Sequence, residues 1–140
     1  MLHRALLPAS IVAVALAGCA AQSSSNDSTG KFRGDQRLVA NTVEDFQSAA
    51  SKGDQVKICR DLLAKSLVDQ YAQHGGTCDK AVDGALKDTD TFGLTVESVA
   101  ISGQQATARV TADRGKKDVQ RTLTLVKQGP GWRISAFAGG

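Results

Sequence analysis

Apolar residues recur every three or four positions in the first half of the chain and every second position in the second half. Val39, Val43, Phe46 and Ala50 form one stripe, which predicts an amphipathic helix over residues 35–51. Asp54 is placed as the N-cap of a second helix that ends near Tyr71, and Thr77 as the cap of a short third helix. The apolar stripes predicted for these two helices are Val56, Cys59, Leu63 and Leu67, then Ala81, Val82, Ala85 and Leu86.

After Thr91 the alternation predicts four strands joined by short turns, over residues 92–102, 106–113, 119–126 and 132–138. In the first of them the alternation changes phase, which predicts a bulge near Glu97 and Ser98. Arg121 falls in phase with the apolar Leu123, and simple alternation places Phe137 opposite Trp132. Helices followed by hairpin-linked strands predict an α+β domain, with N-terminal helices packed on one face of an antiparallel sheet of about four strands.

The same pattern resembles a known superfamily. The first helix, the Ala50-x-x-Gly53-Asp54 turn, Cys59 and Leu63, and a meander that closes on Gly131-Trp132-Arg133-Ile134 are similar to the nuclear transport factor 2-like superfamily over residues 35–138. The resemblance implies a strongly curved sheet that wraps on the helices as a cone with a pocket at its open end. A cystatin-like arrangement with another strand order is the alternative.

The N-terminus has the pattern of an export signal, because Met1–Arg4 is positively charged and residues 5–17 are almost entirely apolar. A helix of that length spans about 20 Å, short of the roughly 30 Å hydrocarbon core of a bilayer. Leu16-Ala17-Gly18-Cys19 resembles the lipobox of bacterial lipoproteins. The resemblance implies cleavage before Cys19 and lipidation of its thiol, which would anchor the protein to the extracytoplasmic face of a bacterial cell membrane. An ordinary secreted protein with a chance cysteine is the alternative.

This pattern gives a domain organisation of signal peptide over residues 1–18, flexible tether over residues 19–34 and one α+β domain over residues 35–140. The tether is rich in Ser, Gly, Asn and Asp, and Phe32 is its one large apolar residue. Phe32 packs on the domain in one interpretation and is a solvated linker side chain in the other.

Once Cys19 is assigned to lipid, Cys59 and Cys78 remain as an even pair in an exported chain. An extracytoplasmic location and an even number of remaining cysteines together predict a disulfide between them. A redox-active pair is the alternative, but the C-x-x-C spacing is missing.

Charge is distributed unevenly, since residues 35–90 carry seven Lys and Arg against ten Asp and Glu, and residues 91–140 carry seven against three. The net charge of +3 and the lack of long basic runs argue against nucleic-acid binding. A smaller basic patch for anionic lipid heads or cell-wall polymers is one interpretation, and an ordinary solvated face is the other. The patch would consist of Arg109, Arg114, Lys116, Lys117 and Arg133.

The sequence indicates the cellular location and the fold of this protein more clearly than its biochemical activity. No acid/base pair, metal-ligand set or cofactor motif is recognisable; Tyr71, His74 and Asp69 lack a partner at a spacing that the sequence fixes. We therefore expect a non-catalytic binding or interaction module, with no cofactor and no metal, for a hydrophobic ligand or an envelope protein. A small enzyme of isomerase or dehydratase type that uses a pocket carboxylate is the alternative. The residues expected near the concave face are Phe46, Leu63, Tyr71, Trp132 and Phe137.

Overall fold

The computed structural model describes residues 28–87, 93–113 and 117–139. A short 3₁₀ turn at Ser28–Lys31 precedes four helices and four strands. The helices are α1 (Asp35–Ser51), α2 (Gln55–Lys57, continued by a π-helical segment at Ile58–Leu62), α3 (Lys65–Gln73) and α4 (Cys78–Lys87). The strands are β1 (Gly93–Ser102), β2 (Gln105–Asp113), β3 (Asp118–Gln128) and β4 (Gly131–Gly139). This order confirms the predicted α+β class.

Helix α1 has the predicted bounds, and the four residues of its predicted stripe are all buried. Two glutamines on α1 attach it to the edge strand β1. Gln36 donates to the carbonyl of Val99 at 3.0 Å, and the amide of Leu94 donates to the side-chain oxygen of Gln47 at 3.1 Å. Eleven residues separate the glutamines, about three helical turns, so both lie on the same side of α1.

The segment before α1 contributes to the folded body. Phe32 is 7% exposed and belongs to the hydrophobic core, and the Lys31 ammonium donates to the carbonyl of Glu97 at 3.0 Å. Gly34 then turns the chain into α1 with φ of 57°, a conformation that glycine adopts without a steric penalty. Residues 28–34, assigned to the tether from their composition, thus include a core residue.

The prediction of one continuous second helix is wrong. Asp54 caps its start, since its carboxylate accepts from the amide of Lys57 at 3.0 Å, but the chain leaves the helix at Leu63 with φ of −88° and ψ of 144°. Leu63 there forms a parallel bridge with Ile134 of β4, and the amide of Ala64 donates to the carbonyl of Ile134 at 2.7 Å. β4 is an edge strand, and its outer edge offers backbone groups for hydrogen bonding. At Leu63 and Ala64, pairing with this edge replaces the hydrogen bonds of a further helical turn.

This break also changes which residues of the second helix are buried. Val56, predicted on the buried stripe, is 58% exposed, whereas Ile58 is fully buried. The π-helical turn rotates the chain so that Ile58 and Leu62 contact the core and Cys59 is half-buried.

The sheet is an antiparallel meander in the order β1-β2-β3-β4. The register shifts between Val96 and Ser98, which confirms the predicted bulge. A second shift, which was not predicted, lies opposite Thr124 and Leu125 and leaves Ser135 of β4 as the extra residue. Bulges increase the local bend and twist of a strand, so the two bulges curve the sheet toward the helices.

The hydrophobic core lies between α1, the Ile58–Leu62 segment and the inner face of the sheet. Its fully buried members include Val39, Val43, Val96, Leu125 and Ile134. Among the described residues, no helix is long and apolar enough to cross a membrane.

Candidate functional site

A cavity of about 360 Å³ lies between the inner face of the sheet and the helices α3 and α4. Its wall is mostly apolar. The sheet side consists of Leu94, Val110, Ala112, Leu123, Phe137 and Ala138, and the helix side of Phe46, Leu63, Ala81, Val82, Ala85 and Leu86. Tyr71, Asp113 and Arg121 are the side chains with polar groups on the wall, and the backbone of Gly93 completes it. A concave apolar surface with few polar groups is typical of small-molecule sites, and the volume falls within their usual range of about 300–1,000 Å³.

The inner face of the sheet becomes less buried, among the described residues, toward the end where β2 leads to β3. Along β2 the inward residues change from fully buried Ala108 and Val110 to half-buried Ala112. The inward residues of β3 change in the same direction, from Leu125 to half-buried Arg121. Burial of the described residues therefore decreases toward the β2–β3 end, from which we infer that the mouth of the cavity lies at this end.

Helix α4 supplies four wall residues, and a disulfide fixes its first residue. Cys78 at the start of α4 is bonded to Cys59 with an S–S distance of 2.02 Å, as the sequence predicted. The hydroxyl of Thr77 accepts from the amide of Lys80 at 3.4 Å, which is the predicted N-cap contact. The cavity wall on the helix side is thus attached to the segment that contacts the sheet edge.

A side-chain hydrogen bond also attaches α4 to α2. Asp83 accepts from Lys87 at 2.6 Å and from the side-chain amide of Gln55 at 3.1 Å, so it links α4 to α2. Hydrogen bonding to Lys87 lowers the pKa of Asp83 and raises the pKa of Lys87. In the same way, hydrogen bonding to Arg60 lowers the pKa of Asp61.

Four of the five residues expected near the concave face line the cavity: Phe46, Leu63, Tyr71 and Phe137. The rings of Phe46 and Phe137 lie 5.5 Å apart in a tilted arrangement. Phe137 is 46% exposed, and the bulge at Ser135 is what brings it to the same face of the sheet as Leu123, its partner in the register.

Trp132 is the exception, because it lies in the core away from the cavity wall. It is 3% exposed, and its carbonyl accepts from the hydroxyl of Thr42 on α1 at 3.4 Å. The ammonium of Lys127 lies 5.8 Å from its ring centroid. The indole N–H has no acceptor within the described part of the chain.

Arg121 and Asp113 on the wall were not predicted as site residues. A signal for Arg121 was present, since it shares the alternation phase of Leu123 and Leu125 on β3. The phase showed which face the side chain occupies but could not show that this part of the face borders a cavity. That depends on where α4 packs.

Arg109 and Arg133, the two residues of the predicted basic patch that lie on described strands, are far apart on the sheet. Arg109 pairs in the register with Thr122 and Arg133 with Val126, four residues further along β3 and about 13 Å away. Arg109 donates to Gln120 at 3.0 Å, Arg133 donates to the carbonyl of Arg60, and Lys117 is exposed. Arg114, Lys116 and the lipobox Cys19 lie outside the described residues.

The polar side chains on the described wall are not joined to one another. Among the residues that the structure describes, no hydrogen bond joins any two of Tyr71, Asp113 and Arg121, and no cluster of three metal-ligating side chains occurs. His74 is exposed at the end of α3, and Asp69 is paired with Lys65 at 2.7 Å. Neither lines the cavity.

Comparison with known proteins identifies the fold of this chain. No protein-family model matches the chain, and no curated protein matches it. Among solved structures, a designed protein titled as a variant of Rd1NTF2_05 is similar, with a TM-score of 0.54 and 15% identity over 73% of this chain and 96% of that one. At this identity the likeness concerns the fold alone, and it agrees with the strand order and the curved sheet described above. The body of the chain therefore has the α+β, nuclear transport factor 2-like fold that its sequence predicted.

Proposed function

We propose that this protein is a lipid-anchored lipoprotein of the bacterial cell envelope, on the extracytoplasmic face, whose body binds a hydrophobic ligand without transforming it. The nuclear transport factor 2-like fold serves as a scaffold for binding and for catalysis, so the site has to decide between them. The apolar cavity is the observation that carries the proposal.

Burial of ligand surface against this wall supplies the driving force. Twelve of the sixteen described wall residues have apolar side chains, contributed by the sheet, by α1, by α4 and by Leu63. Each square ångström of apolar surface removed from water contributes about 25 cal/mol. An aliphatic or ring-shaped ligand that fills the cavity therefore gains affinity mainly from this burial, and the few polar groups orient it.

The N-terminal sequence supports the same proposal. A lipobox-like Leu16-Ala17-Gly18-Cys19 follows an apolar run that is too short to span a bilayer. An acylated Cys19 and a tether would hold the cavity close to the membrane, where hydrophobic molecules are concentrated. Tethering raises the effective concentration of the binding site near such molecules without any additional contact.

The proposal is tested by native mass spectrometry of the protein purified from its own envelope, combined with a thermal-shift screen of lipids. We expect a co-purified mass or a rise in the melting temperature, since ligand at about one hundred times its Kd stabilises the folded state by about 2.7 kcal/mol. A substrate-like ligand that is converted during incubation would support the enzymatic alternative instead.

A variant that fills the cavity makes the test specific. Ala112→Phe places a ring on the cavity wall, whereas Thr107→Phe places the same ring on the exposed face of the same strand. We expect Ala112→Phe to abolish the ligand signal and Thr107→Phe to keep it. If both variants keep the ligand signal, or if the unmodified protein gives no ligand signal, binding in this cavity is contradicted.

A further inference from the structure

Of the described residues that line the cavity, Arg121 is the one whose side chain carries a positive charge. It follows the inward alternation of β3, is half-buried, and pairs in the register with Val110 on one side and Gly139 on the other. Val110 is apolar and Gly139 has no side chain, so neither cross-strand neighbour offers an acceptor group. The sequence thus places a guanidinium among apolar positions on the inner face of the sheet.

Within the described part of the chain, the Arg121 guanidinium has no hydrogen bond and no ion pair. Other arginines do have such partners: Arg60 pairs with Asp61, Arg109 donates to Gln120 and Arg133 donates to a backbone carbonyl. The wall carboxylate Asp113 forms no ion pair with Arg121 among these residues, and it has an interaction of its own. The positive charge on the wall is therefore available to an incoming group.

Polarity changes in order along β3. Leu125 is fully buried in the core, Leu123 is buried on the cavity wall, and Arg121 is half-buried as the outermost described β3 residue of that wall. Val119, the next residue in the same phase, is half-buried but does not line the cavity. A ligand that enters at the mouth meets the guanidinium first and apolar side chains beyond it. This order matches a molecule with an apolar tail and a negatively charged head.

We propose that the ligand is an aliphatic amphiphile with an oxyanion head, either a carboxylate or a phosphate monoester, and that Arg121 binds this head. The proposal rests on the proposed function, namely that the cavity binds a hydrophobic ligand. The tail lies among Leu63, Leu94 and Leu123. A guanidinium presents a planar fork of donors that suits both oxyanions, and charge-assisted hydrogen bonds are about twice as strong as neutral ones.

The test compares ligands that share one tail and differ in the head: decanoate, decyl phosphate and decanol. The full chain, purified from its envelope into lipid nanodiscs, is titrated by calorimetry with empty nanodiscs as the blank. Hydrogen bonds to a charged group contribute about 1.5–3 kcal/mol, so we expect at least one anionic ligand to bind about tenfold or more tightly than decanol. Comparison of decanoate with decyl phosphate shows which head fits.

Arg121→Met keeps an apolar stem of similar length and removes the charge. We expect it to abolish the preference, so that decanoate and decyl phosphate bind no more tightly than decanol, and Arg121→Lys to keep part of the preference. Arg109→Met, on the opposite face of the neighbouring strand, is the matched control and should leave the affinities for all three ligands unchanged. Circular dichroism checks that each variant is folded.

The outcomes separate the two proposals. Equal affinity of the unmodified chain for decanol and both anions would overturn the role of Arg121 and leave hydrophobic binding intact. A preference for anions that survives Arg121→Met would also overturn it, because the head would then be bound elsewhere. No saturable binding of any of the three ligands would overturn both proposals.

Discussion

Ile58 is among the largest fully buried side chains and lies in the π-helical turn that ends the second helix. Its neighbour Val56, two positions earlier, is 58% exposed. The two residues are both β-branched and apolar, and only the turn of the backbone decides which of them enters the core.

This difference predicts the effects of two matched substitutions on stability. Ile58→Ala should lower the free energy of unfolding by about 2–5 kcal/mol, because it removes buried methyl groups and leaves a cavity. Val56→Ala should change it by no more than about 0.5 kcal/mol. Urea denaturation followed by circular dichroism measures both, and a larger loss for Val56→Ala would mean that the second helix is continuous after all.

Helix α4 is held by a covalent bond at its start and by a hydrogen bond from Gln55 to Asp83 in its middle, and its apolar face borders the cavity. Two of its residues on that face are alanines, which bury little surface. The helix therefore depends on its attachments more than a helix with larger side chains would.

Loss of the disulfide should affect stability and the cavity together. The Cys59→Ser, Cys78→Ser double variant should lose about 3 kcal/mol of unfolding free energy, since the bridge closes a loop of 19 residues in the unfolded chain. Amide exchange in α4 should rise more than exchange in α1. Intact-mass analysis gives the control, because the unmodified protein should weigh about 2 Da less than its reduced form and show no alkylatable thiol at Cys59 or Cys78.

The Asp83 contacts predict how α4 responds to acid. The pKa of Asp83 is lowered in the folded protein, so its contribution is complete above the ordinary carboxyl pKa of about 4 and is lost as the pH falls through the lowered value. The group is exposed, which keeps the effect small. We expect the stability of Asp83→Asn and of the unmodified protein to differ near pH 6 and to converge as the pH falls below the lowered pKa of Asp83. A constant difference across this range in thermal denaturation would contradict the assignment.

At the scale of the whole molecule, the core and the cavity occupy different ends of one curved sheet. The two bulges bend β1 and β4, and the helices cover the inner face. Core residues such as Val96 and Leu125 fill the closed end, and the inferred mouth lies toward the end where β2 leads to β3. The proposed anchor at the N-terminus would hold this body at the membrane.

The anchor predicts a change in location. In the native bacterium, Cys19→Ala should leave an uncleaved or soluble form, because the lipidated thiol is missing and one acyl signal fewer weakens membrane binding. Detergent phase partitioning followed by immunoblotting measures this, with Cys59→Ala as the control for loss of a cysteine elsewhere. Processing and membrane partitioning like the unmodified protein would rule out lipidation at Cys19.

Much of the fold could be predicted from local pattern. The bounds and buried face of α1 follow from a stripe of four apolar residues, and the bulge in β1 follows from a change of phase between Val96 and Val99. The cavity could be predicted only in part. Phe46, Leu63, Tyr71 and Phe137 were expected there, but Arg121 and the contributions of β2 and α4 were not assigned to it.

The sequence by itself determined that helices precede strands, the α+β class and the pairing of Cys59 with Cys78, because each depends on local periodicity or on a count of residues. Only the tertiary structure decided where the second helix ends, since Leu63 leaves it to bond the free edge of β4. It also decided the face of Phe137, through an extra residue that becomes visible only when β4 is paired with β3. The placement of Arg121 at a cavity mouth has the same origin, because a cavity is the space between elements and no single element encodes it.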